Sequence, residues 1–275
     1  MRDSGFEDQG LAMRDSSCLG GVLTLALTLV AVLAGGAAAA ENKVQKLSFT
    51  SGSTTGSYYL FVPEKASPGP APLVLLLHGS GHDGKSLVDP WLGLAKAEGI
   101  VLVAPSASDP QAWRNPQEGP QYFYDLLETV RAAHKEIDER RMYVFGHSAG
   151  AIHGLGLGLL ESEYFAAVAV HAGAVSPEMA PIVAQAPRKI PIAIWVGTND
   201  SFFPLKVVRN TRDQLNAAGF DLKLTEIPNH THDYYGSSGS INKDVWAYLK
   251  KFTLDAPPKY QAYSLRLIES LIPHP

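Results

Sequence analysis

"RMYVFGHSAGAIHG", residues 141–154, is the stretch on which the reading of this chain turns. The apolar run Met142–Phe145 passes directly into Gly146-His147-Ser148-Ala149-Gly150, and a small-residue segment suited to a helix follows. A G-x-S-x-G pentapeptide between a strand and a helix forms a sharp turn that lifts the serine hydroxyl above the sheet. Glycine is needed on either side, because the turn brings backbone so close that a Cβ would clash. The competing reading is a glycine-rich turn whose serine caps the helix. A strand before it and a helix after it weigh against that.

Outward from this turn the chain repeats one theme. Short, continuous apolar runs begin at Leu73 ("LVLLLH"), Ile100 ("IVLVAP"), Phe165 ("FAAVAVHAG"), Ile192 ("IAIWVG") and Leu222 ("LKLTEIP"). Runs without alternation mark strands buried on both faces, as in a mostly parallel sheet. Helix-like segments start at Tyr122, Phe203 and Ile241 between and after them. Upstream, Lys46–Pro63 alternates around a Gly/Ser/Thr turn and predicts an antiparallel hairpin. The expectation is an α/β fold: a mostly parallel central sheet with an N-terminal antiparallel hairpin and helices on both faces.

In such sheets ligands sit at the carboxyl ends of the strands, so the partners of Ser148 are sought there. A serine hydroxyl needs a base to take its proton, and the base needs a carboxylate to orient it. "WVGTNDSFFP" closes one strand with Asp200, and "EIPNHTHDYYG" follows the next with His230 and His232. The order Ser, Asp, His is that of the α/β-hydrolases. An oxyanion hole requires two backbone amides aimed at the developing charge. One is expected from Ala149, directly after the serine, and the other from the loop His78-Gly79-Ser80-Gly81 that follows the Leu73 strand.

On "HGSGHDG", "IDERRMYVFGHSAG", "VGTNDSFFP" and "PNHTHDYY", in this order and spacing, the chain resembles the α/β-hydrolase superfamily over residues 41–255. Within it the sequence is most similar to small secreted esterases of the polyhydroxybutyrate depolymerase and feruloyl esterase kind. The resemblance implies an α/β-hydrolase fold and a serine esterase acting through an acyl-enzyme. It assigns Ser148 as nucleophile, Asp200 as acid, His232 as base, and the Ser80 amide as the second oxyanion donor. His232-Asp233-Tyr234 matches the superfamily's histidine followed two places later by an aromatic, while His230 stands where a small residue is usual and keeps open a base at His230. A serine peptidase and a non-catalytic binding protein on the same scaffold are the rival readings.

The remaining histidines and aromatics divide by context. His78, His147 and His171 are expected to pack. An H-x-H metal pair in "HTHD" competes with the triad for the same histidine, so no metal is expected, and the chemistry needs no cofactor. The loop Ser106–Tyr124 presents Trp113, and Phe202 follows Asp200; both are candidates for substrate binding. No insertion is long enough for a separate lid.

Composition sets the frame. The chain has 275 residues, 45% hydrophobic and 18% charged, as expected of one sizeable core. The formal charge is -4; the first 40 residues hold two basic and four acidic side chains, leaving -2 on the remainder. That balance offers no electrostatic footprint for nucleic acid or an anionic membrane. The expected partner is a small-molecule or polymer-linked ester. Residues 1–40 read as a signal peptide, with an apolar core and Ala38-Ala39-Ala40 before Glu41, and with Met13 as an alternative start. The expectation is an exported, periplasmic or extracellular protein without a stable membrane partner after cleavage. Cys18 is the only cysteine and lies in that leader, which excludes thiolate chemistry from the mature chain. Residues 256–275 are read as a C-terminal tail.

Overall fold

In the computed structural model, which describes residues 43–64, 69–175 and 179–261, each central strand divides its apolar residues between two cores. The expected leader and residues 262–275 lie outside the described residues. Along Ala71–Leu77 (β3), Leu73, Leu75 and Leu77 enter one core while Val74 and Leu76 enter the other. Ile137–His147 (β5) does the same with Met142 and Val144 against Tyr143 and Phe145. So do Val101–Ser106 (β4) and Ile192–Gly197 (β7). Successive strand side chains point to opposite faces, so an unbroken apolar run is what a doubly covered strand requires.

Eight strands form one sheet in the order β1-β2-β4-β3-β5-β6-β7-β8. Gln45–Ser51 (β1) and Thr54–Phe61 (β2) make the expected antiparallel hairpin, and β2 also runs antiparallel to β4. All other pairings are parallel, through Ala167–His171 (β6) to Leu222–Ile227 (β8) at the far edge.

Gly84–Glu98 (α1) and Ser238–Leu249 (α6) cover one face with Trp91, Val88, Val245 and Trp246. Pro120–Ala133 (α2), Ala149–Leu160 (α3), the short Ala180–Gln185 (α4) and Leu205–Ala217 (α5) cover the other. A fully buried Leu, Ile or Val contributes about 1.5–3 kcal/mol by leaving water; the core under α2, α3, α4 and α5 is built largely of these residues, and the one under α1 and α6 mixes them with alanine and aromatic rings. The helix α1 is closed at both ends. The Asp83 carboxylate accepts from the Ser86 amide at 3.1 Å, and Gly99 ends the helix at φ 71°.

The start of the C-terminal tail lies on the domain. Tyr260 stacks on Tyr124 with ring centres 4.2 Å apart, and the Gln261 amide donates to Glu161 Oε2 at 2.7 Å. No helix of the described residues is long and apolar enough to cross a membrane.

Candidate active site

The strand β5 hands over to α3 at Ser148, whose backbone sits at φ 55° and ψ -117°. A non-glycine residue holds that conformation only when its surroundings over-determine it. They do so here. A Cβ on Gly146 would lie 2.2 Å from the Gly150 carbonyl oxygen, and one on Gly150 would lie 2.0 Å from the Leu77 carbonyl oxygen. The Ser148 amide is anchored on the neighbouring strand by the His171 carbonyl at 3.1 Å.

Three of the expected residues meet around this turn. Ser148 Oγ lies 2.9 Å from His232 Nε2, and His232 Nδ1 lies 2.9 Å from Asp200 Oδ2. Asp200 follows β7 and is buried; its Oδ1 accepts from the Phe202 and Phe203 amides at 2.9 Å each, so both carboxylate oxygens are oriented. The loops carrying the acid and the histidine are tied to each other. Asn199 donates its amide to the His230 carbonyl at 2.9 Å, and Asn229 donates its own to Thr198 Oγ1 at 2.8 Å. Beyond the histidine, the buried Tyr234 donates to Asn242 Oδ1 at 2.6 Å and fixes the loop to α6.

Ala149 and the loop of Ser80, from which the oxyanion donors are expected, both adjoin Ser148. Ala149 opens α3, so its amide is among the first-turn donors that have no acceptor within the helix. The loop after β3 runs alongside: a Cβ on Gly79 would lie 3.2 Å from Ser148 Cβ, and Ser80 is the next residue. Ser80 is exposed, and its own hydroxyl donates to the Gln111 carbonyl at 2.8 Å.

The two candidate substrate contacts differ. Phe202 is 74% exposed, with its ring 4.7 Å from that of His232. Trp113 is partly buried, and its indole N–H donates to the His78 carbonyl at 2.9 Å. Its ring lies beside His78, Phe123 and His153 at 4.9, 5.8 and 5.6 Å. Among the described residues the exposed large apolar side chains are Ile152, Phe202 and Val207. The first lies one turn of α3 past Ser148, and the last lies in the opening turn of α5, after Phe203.

A row of histidines that the sequence left without partners lies behind the site. His147 Nδ1 faces His171 Nδ1 at 3.0 Å, and His171 Nε2 faces His230 Nε2 at 3.0 Å. His230 is thus turned to His171, while His232 takes the serine. The ring of His147 is 5.0 Å from that of His232. Burial pushes His147 down to about 3 and His171 to about 2, with the neighbouring histidines adding to the effect, so both rings are neutral. The signal for this row was present in the strands. His147 and His171 each end a run, and β5 and β6 pair in a register that sets the two side by side.

The arrangement can deprotonate Ser148 through His232 while Asp200 holds the imidazole with its free lone pair toward the hydroxyl. No protein-family model matches the sequence, and no curated protein matches it. Solved structures do. An S-formylglutathione hydrolase from Agrobacterium tumefaciens superposes with a TM-score of 0.61 at 20% identity over 77% of this chain and 94% of that one. A ferulic acid esterase gives 0.63 at 16% over 76% and 98%. A Pyrococcus horikoshii acylaminoacyl peptidase gives 0.63 at 12%, covering 83% of this chain but only 44% of its own. With these neighbours, the strand order β1-β2-β4-β3-β5-β6-β7-β8 and the serine turn at the end of β5, this chain has the α/β-hydrolase fold.

Proposed function

We propose that the protein is a serine hydrolase that cleaves carboxylic esters through an acyl-enzyme. The observation that carries this reading is the hydrogen-bonded chain Ser148–His232–Asp200 on a strained turn, with two contacts of 2.9 Å. Ser148 Oγ attacks the ester carbonyl carbon while His232 Nε2 takes its proton. Collapse of the tetrahedral intermediate breaks the bond to the alkoxy oxygen, and His232 returns the proton to the leaving alcohol. Water then attacks the acyl-enzyme with His232 again as base, releasing the acid and restoring the serine. The amides of Ala149 and Ser80 hold the oxyanion, each such donor being worth about 100- to 1,000-fold in turnover.

Short acyl, hydroxycinnamoyl or hydroxyalkanoate esters are the proposed substrates. The exposed Phe202 ring beside His232, with exposed Ile152 one helical turn past Ser148 and Val207 five residues after Phe202, offers apolar surface to an acyl or polymer chain. The neighbours described as a ferulic acid esterase and an S-formylglutathione hydrolase support ester and thioester chemistry on this scaffold. Hydrolysis of p-nitrophenyl acyl esters, methyl ferulate and 3-hydroxybutyrate oligomers tests the reading. Ser148→Ala is expected to lower kcat about a million-fold; an unchanged rate would overturn the assignment.

The acylaminoacyl peptidase among the neighbours favours amide cleavage as the second reading. Faster turnover of aminoacyl p-nitroanilides than of the matching p-nitrophenyl esters would select it. Export is proposed from the leader pattern alone: material recovered from the periplasm or medium is expected to begin at Glu41, and a retained leader would contradict it.

A further inference from the structure

The loop His78–Gly81 carries an oxyanion amide but has little stiffness of its own. Two of its four residues are glycine, and Gly81 adopts φ 78°. Its position is fixed from outside, by the segment that connects β4 to α2. Four polar contacts join them. The Ala107 amide donates to His78 Nε2 at 3.0 Å, and the Trp113 indole donates to the His78 carbonyl at 2.9 Å. Ser80 Oγ donates to the Gln111 carbonyl at 2.8 Å, and the Gly81 amide donates to the Pro110 carbonyl at 2.7 Å. The His78 ring is fixed as well. A backbone amide can only donate, so Nε2 holds a lone pair and the ring proton sits on Nδ1, 2.9 Å from the Gly79 carbonyl.

The bracing segment is itself rigid. The buried Glu118 carboxylate accepts from the Ser108 amide at 2.5 Å and from the Arg114 amide at 2.7 Å, which closes the segment into a small loop. Arg114 is paired with Asp109 across it. Trp113 sits at the centre of this brace. Its one polar atom is committed to His78, and His78, Phe123 and His153 crowd its ring.

We propose that Trp113 is a positioning residue for the oxyanion hole, acting through the His78 carbonyl to hold the Ser80 amide in place. This is a different role from the substrate contact expected of it from the sequence, and it rests on the serine-hydrolase reading above. An oxyanion donor is effective only when it is already in place as charge develops, and a misplacement of about 1 Å can cost on the order of 100-fold. The residue should therefore act on the transition state and leave ground-state binding alone.

Trp113→Phe keeps an aromatic ring, though a smaller one, and removes the donor. The expected result on the best ester is a kcat lowered about 10-fold with KM within about twofold, together with an equal loss of affinity for a trifluoromethyl ketone analogue, as for a contact made only in the transition state. The affinity of the corresponding methyl carbinol, which forms no oxyanion, should not change. Ser80→Ala is the second variant: on an exposed residue, it removes the anchor on Gln111 while retaining the Ser80 amide, and should show the same split. A raised KM with unchanged kcat, equal weakening of ketone and carbinol, or no change in either variant would overturn the proposal. The underlying reading fails separately, through wild-type turnover that survives Ser148→Ala.

Discussion

Ser148 carries the strain of the site, and the glycines around it make that strain tolerable. Adding one methyl at Gly150 drives a Cβ to 2.0 Å from the Leu77 carbonyl oxygen, where no flexible side chain can give way. Gly150→Ala is therefore expected to cost about 3 kcal/mol, a loss of roughly 6–12 °C in Tm by thermal unfolding, and to displace the nucleophile as well. The two histidines of "HTHD" should separate equally clearly. His232 touches both Ser148 and Asp200, so His232→Ala should abolish turnover, whereas His230 touches His171 and its loss should appear chiefly as about 1–3 kcal/mol of stability. Comparing kcat with Tm for both variants checks this; a larger kcat loss in His230→Ala would exchange the roles.

The elements show how local chemistry placed these residues. Asp83 caps α1 and starts the helix two residues after the loop His78–Gly81, so Asp83→Ala should cost about 1 kcal/mol, measurable as a lower urea midpoint. The strands were legible because their two-sided burial leaves no room for polar residues, and the runs at Leu73, Met142 and Ile192 became β3, β5 and β7. The helix α1 was harder to see. Pro90 and Gly93 break its periodicity, and only Asp83 and Gly99 mark its ends. Residues brought together around the serine were readable from motif and strand order, since each closes or follows a strand. The hydrogen bond from Trp113 to His78 was not, because a ring's exposure and the partner of its N–H depend on how the loop Ser106–Tyr124 folds back on His78. Nor was the His171–His230 contact, which needs the register of β6 and the path of the loop after β8.

For the whole molecule the buried ionisable groups predict a stability that depends on pH. Burial holds His147 near 3, His171 near 2 and His153 near 4, all below the unfolded value of about 6.5. Such groups bind fewer protons when folded, so their stabilisation is complete above about pH 6.5 and is lost as pH falls below it. Glu161 works in the opposite sense: burial pushes it up to about 7, so its stabilisation is present at acid pH and lost as pH rises through that value. Three rings against one carboxyl leave a net loss of roughly 3 kcal/mol from these groups between pH 7 and pH 5. Denaturant midpoints at the two values measure it, and an unchanged midpoint would contradict neutral buried rings.

The histidine row also has a direction. A neutral imidazole carries one hydrogen, and each contact in the row accommodates one. A neutral His171 has one hydrogen and two ring neighbours, so it donates to one of His147 and His230 and accepts from the other. In either ordering His230 Nε2 is engaged by the His171 ring. Of two histidines a single residue apart, only His232 turns its Nε2 to the Ser148 hydroxyl, and the buried row occupies the nitrogen that would otherwise compete with it.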